Sequence, residues 1–221
     1  MARLAYEKID SVVSDTALQI FGSFNPDPSD RCPDGCRTLV MLGPREPGFW
    51  PHVSAQPEFA DNGPDPLDRW SRRIIDALAN LLRATPVYPF GGPPYHPFFS
   101  WALRTGRCWQ SPVQLLVHDV AGLFVSYRGA LMFEEKIPLP ASDGDSPCCH
   151  CRQQPCRTAC PVEAISDGRY DAVSCRSHVA SPAGISCLDM GCQVRRSCPV
   201  SESYGRLPAQ SRFHQTAFLR R

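Results

Sequence analysis

The sequence has none of the features that mark a membrane or secreted protein. Its apolar stretches, such as Leu123–Val125, are far shorter than the roughly 20 residues that a membrane-spanning helix needs. Its first fifteen residues contain no uninterrupted apolar segment of the kind that secretory signals carry. We therefore expect a cytoplasmic protein without a membrane span, and the reducing conditions of that compartment argue against disulfide bonds.

Familiar catalytic motifs are also missing. The chain contains no phosphate-binding loop, no G-x-G-x-x-G and no arrangement that suggests a catalytic triad. Gly91-Gly92-Pro93-Pro94 is the signal of a turn rather than of a phosphate site. No catalytic residue can be named from the residues alone, so the question of an enzymatic activity stays open at this point.

The length of 221 residues has room for one ordinary domain and a small appended one. The segment Pro138–Pro147 is rich in proline and acidic residues, which predicts a linker. We therefore expect a first domain over residues 1–140 and a second, cysteine-rich domain over residues 141–221.

Hydrophobic patterns predict helices and strands throughout the first domain. Helices are expected over residues 4–14, 66–83 and 98–104, and strands over residues 16–22, 38–42, 87–90, 113–118 and 123–133. Residues 44–64 predict a long irregular loop, and residues 209–219 predict a helix near the end of the chain. This order indicates an α/β or α+β fold with a mixed sheet.

The helix over residues 66–83 has the clearest pattern. Asp65 is a candidate cap, and Pro66 suits the first helical position. Apolar side chains recur at helical spacing and predict one buried face, formed by Leu67, Trp70, Ile74, Leu78, Leu81 and Leu82.

What the chain has in excess is cysteine, since nine of its twelve cysteines lie in the last third. They give the run Cys148-x2-Cys151-x4-Cys156-x3-Cys160-Pro161, then Cys175, then Cys187-x4-Cys192-x5-Cys198-Pro199. The bacterial ferredoxin run is C-x2-C-x2-C-x3-C-P, and its fourth cysteine ligates the other cluster when two clusters are present. Two Cys-Pro endings therefore predict a ferredoxin-like domain with two [4Fe-4S] clusters, in a protein that transfers electrons.

The two-cluster rule assigns each Cys-Pro cysteine to the cluster opposite in sequence. The ligands of the first cluster are then Cys148, Cys151, Cys156 and Cys198, and those of the second are Cys160, Cys175, Cys187 and Cys192. Two spacings are longer than in a plain ferredoxin, since four residues separate Cys151 from Cys156 and eleven separate Cys175 from Cys187. Cys149 competes with Cys148 for the first position, and the C-x2-C spacing favours Cys148.

Other interpretations of the cysteines remain open. An even number of cysteines is compatible with disulfide bonds, and a zinc site would use paired short spacings that this run does not show. Cys32-x3-Cys36 is either a metal site with distant partners or a pair of ordinary thiols, and Cys108 is expected to be packed in the interior. His150 and His178 are expected to donate hydrogen bonds near a cluster rather than to ligate it.

Positive charge is concentrated in the cysteine-rich region. Residues 148–221 hold ten Arg and five Asp or Glu, whereas the whole chain has a net charge of only +1. One interpretation is that the Arg side chains offset the negative charge of thiolate-ligated clusters, and we also expect a redox partner protein. The other is that they bind nucleic acid or an acidic partner, although they alternate with cysteines instead of forming a continuous basic run.

The cysteine-rich region resembles the two-cluster modules of epoxyqueuosine reductases and reductive dehalogenases. The matching features are Pro155-Cys156-x3-Cys160-Pro161-x2-Ala164-Ile165, the single Cys175, Gly191-Cys192 and Cys198-Pro199. The resemblance covers about a third of the chain and implies a protein in which two clusters deliver electrons to a further cofactor.

A second resemblance concerns the segments of residues 112–118 and 122–130. They are similar to part of the cobalamin-processing proteins that remove upper-axial ligands, and Arg128-Gly129 match the Arg-Gly of that family. This resemblance implies a nitroreductase-like α/β domain that holds a corrinoid or flavin, and therefore a reductase as the alternative function. The candidate cofactor-binding residues are His118, Tyr127 and Arg128, with His96 and Trp101 as further candidates for the pocket lining.

Overall fold

The computed structural model of the protein describes residues 4–142, 144–166 and 168–220. Its strands are β1 (Leu18–Phe24), β2 (Thr38–Pro44), β3 (Thr85–Val87), β4 (Cys108–Gln110), β5 (Leu116–His118), β6 (Gly129–Phe133), β7 (Ile165–Ser166) and β8 (Arg169–Tyr170). Its helices are α1 (Tyr6–Ser14), α2 (Phe49–Ser54), α3 (Pro57–Ala60), α4 (Pro66–Leu82), α5 (Phe98–Arg104), α6 (Pro147–His150), α7 (Ala172–Val179), α8 (Ile185–Met190), α9 (Gln193–Arg196), α10 (Pro199–Ser203) and α11 (Pro208–Leu219). Over these ranges, no helix has both the length and the apolar character that crossing a membrane requires.

The described residues form two compact units. The first comprises the residues up to Arg107 together with Ser126–Gly144, and the second comprises Cys108–Val125 together with the residues from Asp145 onward. Residues 108–125 were predicted to lie in the first domain, but they belong to the cysteine-rich unit. The expected linker contributes its last residues to the start of that unit.

The first unit is built on a four-stranded sheet with the strand order β1-β2-β6-β3. Every neighbouring pair is antiparallel: β2 pairs with β1 and β6, and β3 pairs with the other edge of β6. The fold is therefore α+β, which is one of the two predicted classes, and the sheet is antiparallel instead of mixed as predicted. The hydrophobic pattern locates strands, but strand direction depends on partners far away in the chain, such as Leu42 opposite Gly129.

Helix α4 packs one apolar face into the first unit, and that face differs in part from the prediction. Leu67, Trp70, Leu78 and Leu82 are buried as predicted. Ile75 is buried in place of Ile74, and Leu81 is 68% exposed. Asp65 stands before the helix in the left-handed conformation (φ 46°) and makes no side-chain capping bond. The spacing of apolar residues therefore predicts where the helix lies. Which of its residues are buried depends on the elements that it packs against.

The remaining predictions agree with the structure to different degrees. Helices α1, α5 and α11 lie where the sequence predicts helices. The expected loop over residues 44–64 contains two short helices, α2 and α3. The strand expected over residues 113–118 is the short β5, which pairs with β4, and only the end of the segment 123–133 forms a strand, β6.

The second unit has short helices, two small strand pairs and little apolar core. One apolar cluster contains five aliphatic side chains and two cysteines, namely Val113, Val117, Leu123, Ile165, Val194, Cys156 and Cys198. Three further cysteines, Cys148, Cys160 and Cys192, are partly buried against it. Thiols therefore take positions that aliphatic side chains occupy in an ordinary core.

Candidate metal centre

A first cavity of about 170 Å³ lies in the second unit. Four thiols line it, from Cys148, Cys151, Cys156 and Cys198. The rest of the lining is mainly apolar and comes from both parts of the unit, with Pro112, Val117, Leu123, Pro147, Pro155, Pro199 and Val200 among its members. Cys149, the competitor for the first position, is exposed and is not among the lining residues.

Short helical turns position these four thiols. Pro147 begins α6, and the Ser146 hydroxyl before it accepts a hydrogen bond from the Cys148 amide at 3.3 Å. Pro155 begins the turn that holds Cys156, and Pro199 begins α10 directly after Cys198. Proline suits the first position of a helical turn because its φ is already close to the helical value. Each proline therefore fixes the backbone next to one sulfur.

A second, smaller cavity of about 20 Å³ has its own four thiols, from Cys160, Cys175, Cys187 and Cys192. Val162, Ile165, Val179 and Val194 supply apolar lining, and His178, Gln193 and Gln215 supply polar lining. The two cavities thus have the same cysteine members as the two ligand sets assigned from spacing, and each includes the Cys-Pro cysteine of the other half.

The sulfurs of the second cavity accept hydrogen bonds from three different groups. The Ala164 amide donates to Cys160 Sγ at 3.2 Å, and Gln193 Nε2 donates to Cys187 Sγ at 3.6 Å. The Tyr170 hydroxyl donates to Cys175. At the first cavity, the Ser146 hydroxyl donates to Cys148. The second set of thiols therefore lies in the more polar hydrogen-bonding environment.

A glycine allows one of these thiols to approach the rest of its unit. Gly191, directly before Cys192, has a φ of +88°, and a Cβ there would lie 2.8 Å from Ser211 of α11. Both the conformation and the contact require glycine. Gly191 therefore lets the backbone of Cys192 pass close to helix α11.

Burial and neighbouring thiols both act on the charge state of the cysteines. Burial raises the pKa of Cys148, and the nearby Cys198 and Cys151 raise it further. Burial likewise raises the pKa of Cys156, beside Cys148 and Cys198, and that of Cys175, beside Cys192 and Cys160. Each of these cysteines interacts electrostatically with members of its own set. The raised pKa values favour the protonated thiols, so four thiolates would coexist in one set only beside a positive partner such as a coordinated metal.

Each cavity also holds a buried polar group that has no hydrogen-bond partner among the described residues. These groups are Oγ of Ser111, a residue that lines the first cavity, and Nε2 of His178, a residue that lines the second. A buried polar group without a partner is costly, which suggests that a bound group satisfies it. The thiol sets and these two groups fit a sulfur-containing cluster that accepts hydrogen bonds. For His150 and His178 the expectation of hydrogen-bond donation remains a prediction.

The two sets of four cysteines differ from a site that binds a single metal ion. In the part of the chain that the structure describes, no group of three or more His, Cys, Asp or Glu side chains is arranged to hold one metal ion. Zinc requires four ligand atoms at about 2.0–2.3 Å from one point. All twelve cysteines are free thiols, including Cys32, Cys36 and the buried Cys108. Among these residues, the four cysteines of each set line one cavity and are not grouped around a single ion.

Several Arg side chains of this unit bind its own backbone. Arg195 Nη1 donates to the Leu123 carbonyl at 2.5 Å, and Arg196 Nε donates to the Gly191 carbonyl at 3.1 Å. Arg212 pairs with Asp189. These contacts connect the helices that carry the cysteines. Part of the positive charge of these Arg side chains therefore stabilises the unit itself.

The three candidate cofactor-binding residues from the second resemblance lie in different units. His118 is fully buried in the second unit, where Nδ1 accepts hydrogen bonds from the Val120 and Ala121 amides at 3.1 and 3.4 Å. Tyr127 and Arg128 belong to the first unit. The Tyr127 ring packs edge-on against Phe21, with a centroid distance of 5.9 Å.

Arg128 is an internal cation of the first unit. Its Nε donates to Ser71 Oγ at 2.9 Å, and its guanidinium pairs with Asp68. Burial lowers the pKa of this guanidinium. His96 is exposed and stacks on the buried Trp101. These contacts hold α4 and the sheet together, and the corrinoid or flavin pocket stays a prediction.

Sequence reasoning missed two residues at the thiol cavities, Ser111 and Tyr170. Ser111 lies in the segment 108–125, which the sequence pattern assigns to the other domain. Tyr170 lies five residues before Cys175, and this proximity is the only local signal that could have pointed to it. Neither a serine in a turn nor a single tyrosine marks a site without the fold that brings it to a cysteine.

Comparison of the chain with protein-family models, with curated proteins and with solved structures gives no match.

Proposed function

We propose that this protein transfers electrons through two [4Fe-4S] clusters. Cys148, Cys151, Cys156 and Cys198 would hold the first cluster, and Cys160, Cys175, Cys187 and Cys192 the second. The observation that carries this proposal is the separation of eight thiols into two sets of four, each around its own cavity. Fe–S clusters are held by such sets of four thiolates.

The lining of the cavities supports a redox role. When bound, each cluster supplies one-electron chemistry. The prolines and aliphatic side chains of the first cavity limit the access of water, and the donors to Cys160, Cys175 and Cys187 stabilise negative charge at the second. Hydrogen bonds to sulfur and solvent exposure are the protein's means of setting the potential.

The two thiol sets border the same apolar cluster. Val117 and Leu123 of that cluster line the first cavity, and Ile165 and Val194 line the second. An apolar cluster shared by the two sites favours electron exchange between them. A redox partner protein therefore needs to approach only one of them.

The first test is the content of iron and acid-labile sulfide in protein purified without oxygen. We expect about eight of each per chain, as two cubane clusters require. The Cys149→Ser variant, which removes an exposed thiol outside both sets, should keep the full content. About four of each, or zinc in place of iron, would contradict the proposal.

A reversible reduction is the second requirement. We expect the reduced protein to give electron paramagnetic resonance signals of two interacting clusters, because both sites border one apolar cluster. Reoxidation should restore the starting absorption spectrum. Clusters that are lost on a single cycle of reduction and oxidation would instead indicate a structural use of the metal.

A further inference from the structure

A pair of thiols outside both cluster sets lies in the first unit. Cys32 and Cys36 stand in the loop before β2, and their side chains are hydrogen bonded to each other. Both residues are only partly buried. This contact brings two free sulfurs together where small molecules can reach them.

The loop holds the pair in place from both sides. Before it, the Asp30 carboxylate accepts a hydrogen bond from Arg104 Nε at 2.7 Å, and the Asp30 carbonyl accepts one from Trp101 Nε1 at 2.8 Å. After it, the Arg37 amide donates to the Phe133 carbonyl at 2.8 Å, next to the start of β2. The two cysteines are therefore fixed between helix α5 and the sheet.

A tight turn separates the two cysteines. The Cys36 amide donates to the Pro33 carbonyl at 3.2 Å, and Gly35 has a φ of +81°, which favours glycine. A disulfide requires two cysteines whose backbones are already close and whose side chains point toward each other. The turn keeps the two backbones close, and the hydrogen bond places the two thiols in contact.

We propose that Cys32 and Cys36 form a reversible dithiol–disulfide pair that exchanges with low-molecular-weight disulfides of the glutathione type. Cys36 loses its proton to water, and its thiolate attacks one sulfur of the disulfide, forms a mixed disulfide and expels a small thiolate that takes up a proton. Cys32 then loses its proton, attacks the Cys36 sulfur and releases the second small thiol. The two cysteines are oxidised, the external disulfide is reduced, and the two protons leave on the released thiols.

The electrostatics of the pair agree with this order of attack. The hydrogen bond from Cys32 lowers the pKa of Cys36, and the same bond raises the pKa of Cys32. A thiolate is the reactive form of cysteine. Cys36 is therefore the nucleophile and Cys32 the resolving thiol. The proposal does not depend on the clusters.

The chain allows a direct measurement of this pair in the whole protein. Trypsin cleaves after Arg31 and Arg37, so one peptide contains Cys32 and Cys36 and no other cysteine. The cluster-loaded protein is equilibrated without oxygen in mixtures of glutathione and its disulfide, quenched in acid, alkylated and digested. Mass spectrometry of the peptide then gives the number of alkyl groups, which equals the number of free thiols at the time of the quench.

We expect the peptide to change from two alkyl groups to none as the proportion of oxidised glutathione rises, and to return when reduced glutathione is added. Cys32→Ser should accumulate a mixed disulfide at Cys36, and Cys36→Ser should lose the intramolecular form entirely. Cys108→Ser, which removes a buried thiol of the other unit, should titrate like the unaltered protein. The iron content should stay unchanged in both loop variants, which separates this result from that of the cluster proposal.

Two results would overturn the proposal. One is a peptide that carries two alkyl groups at every glutathione ratio. The other is a peptide that takes up two glutathione molecules and never forms the internal bond.

Discussion

The two units of this protein are stabilised in different ways. The first buries large side chains around its sheet and helix α4, among them Leu39, Met41, Phe49, Trp70 and Leu131. In the described residues of the second, eleven hydrophobic residues other than cysteine are buried, against 29 in the first. Six of the eleven come from residues 108–125, and the part from residue 145 onward adds Ala164, Ile165, Val179, Val194 and Tyr204. Small units with little core usually need disulfides or metals. The comparison teaches that the thiols of the second unit replace the missing core, provided that metal connects them.

Removal of the metal should affect the two units very differently. Because metal binding contributes directly to folding in units of this kind, chelation should unfold the cysteine-rich unit. The first unit should keep its structure, since its apolar core contains no cluster. Hydrogen–deuterium exchange, read by peptide, measures both at once. We expect full exchange in α7, α8 and α9 and continued protection in β2 and α4. Equal protection in the two units after chelation would show that the thiols need no metal.

Single cysteine variants should divide the second unit into its two halves. Cys198→Ser removes a ligand that lies far along the chain from Cys148, yet the crossed assignment predicts loss of the first cluster. Cys160→Ser should remove the second. In each case we expect iron to fall from about eight to about four per chain. The surviving electron paramagnetic resonance signal should differ between the two variants. The signal that survives in Cys198→Ser should match the one in Cys148→Ser, and the signal that survives in Cys160→Ser should match the one in Cys187→Ser. The opposite matches would disprove the crossed assignment.

A substitution in helix α4 should destabilise the first unit and leave the second unit unaffected. Asp68→Ala leaves the Arg128 guanidinium, in a residue that is 8% exposed, without its carboxylate. Breaking a buried ion pair in this way costs about 3 kcal/mol. The loss should appear in the urea-induced unfolding of the first unit, with no change in iron content.

The matched control for this substitution is another ion pair of the same helix, between Arg69 of α4 and Asp61, which follows α3. Asp61→Ala breaks its ion pair with Arg69. In that pair the Arg69 side chain is 37% exposed and the Asp61 side chain is 50% exposed. Solvent already screens that pair, so its loss should change stability much less. Equal effects of Asp61→Ala and Asp68→Ala would show that the burial of Arg128 has no energetic consequence.

The sequence predicted local features of both units better than long-range ones. Helices α4, α5 and α11 follow from apolar spacing and proline positions, which are local. The antiparallel order of β2, β6 and β3 does not, because β6 comes from a segment far from β2 and its direction depends on packing. The same limit applies at the cavities. The spacing of the cysteines in the sequence predicts which of them belong to each set. The position of Ser111 at the first cavity depends instead on the segment 108–125 folding with the second unit.

The smallest effect we predict concerns the difference between the two cavities. Three donors reach the sulfurs of the second set, from Ala164, Gln193 and Tyr170, and one reaches the first, from Ser146. Hydrogen bonds to sulfur stabilise the reduced, more negative state, so the second cluster should have the higher potential. Tyr170→Phe removes one donor and keeps the ring. A hydrogen bond is worth about 1 kcal/mol, which corresponds to roughly 40 mV for a one-electron couple.

We therefore expect Tyr170→Phe to lower the potential of the second cluster by that amount and to leave the first unchanged. A redox titration followed by electron paramagnetic resonance separates the two signals, and the signal lost in Cys160→Ser identifies the second cluster. Tyr95→Phe, at an exposed tyrosine of the first unit, is the control and should shift neither potential. If Tyr170→Phe shifts the reduction potentials of both clusters equally, the hydroxyl acts by long-range electrostatics and not through its hydrogen bond to Cys175. The polar contrast between the two cavities would then have no functional meaning.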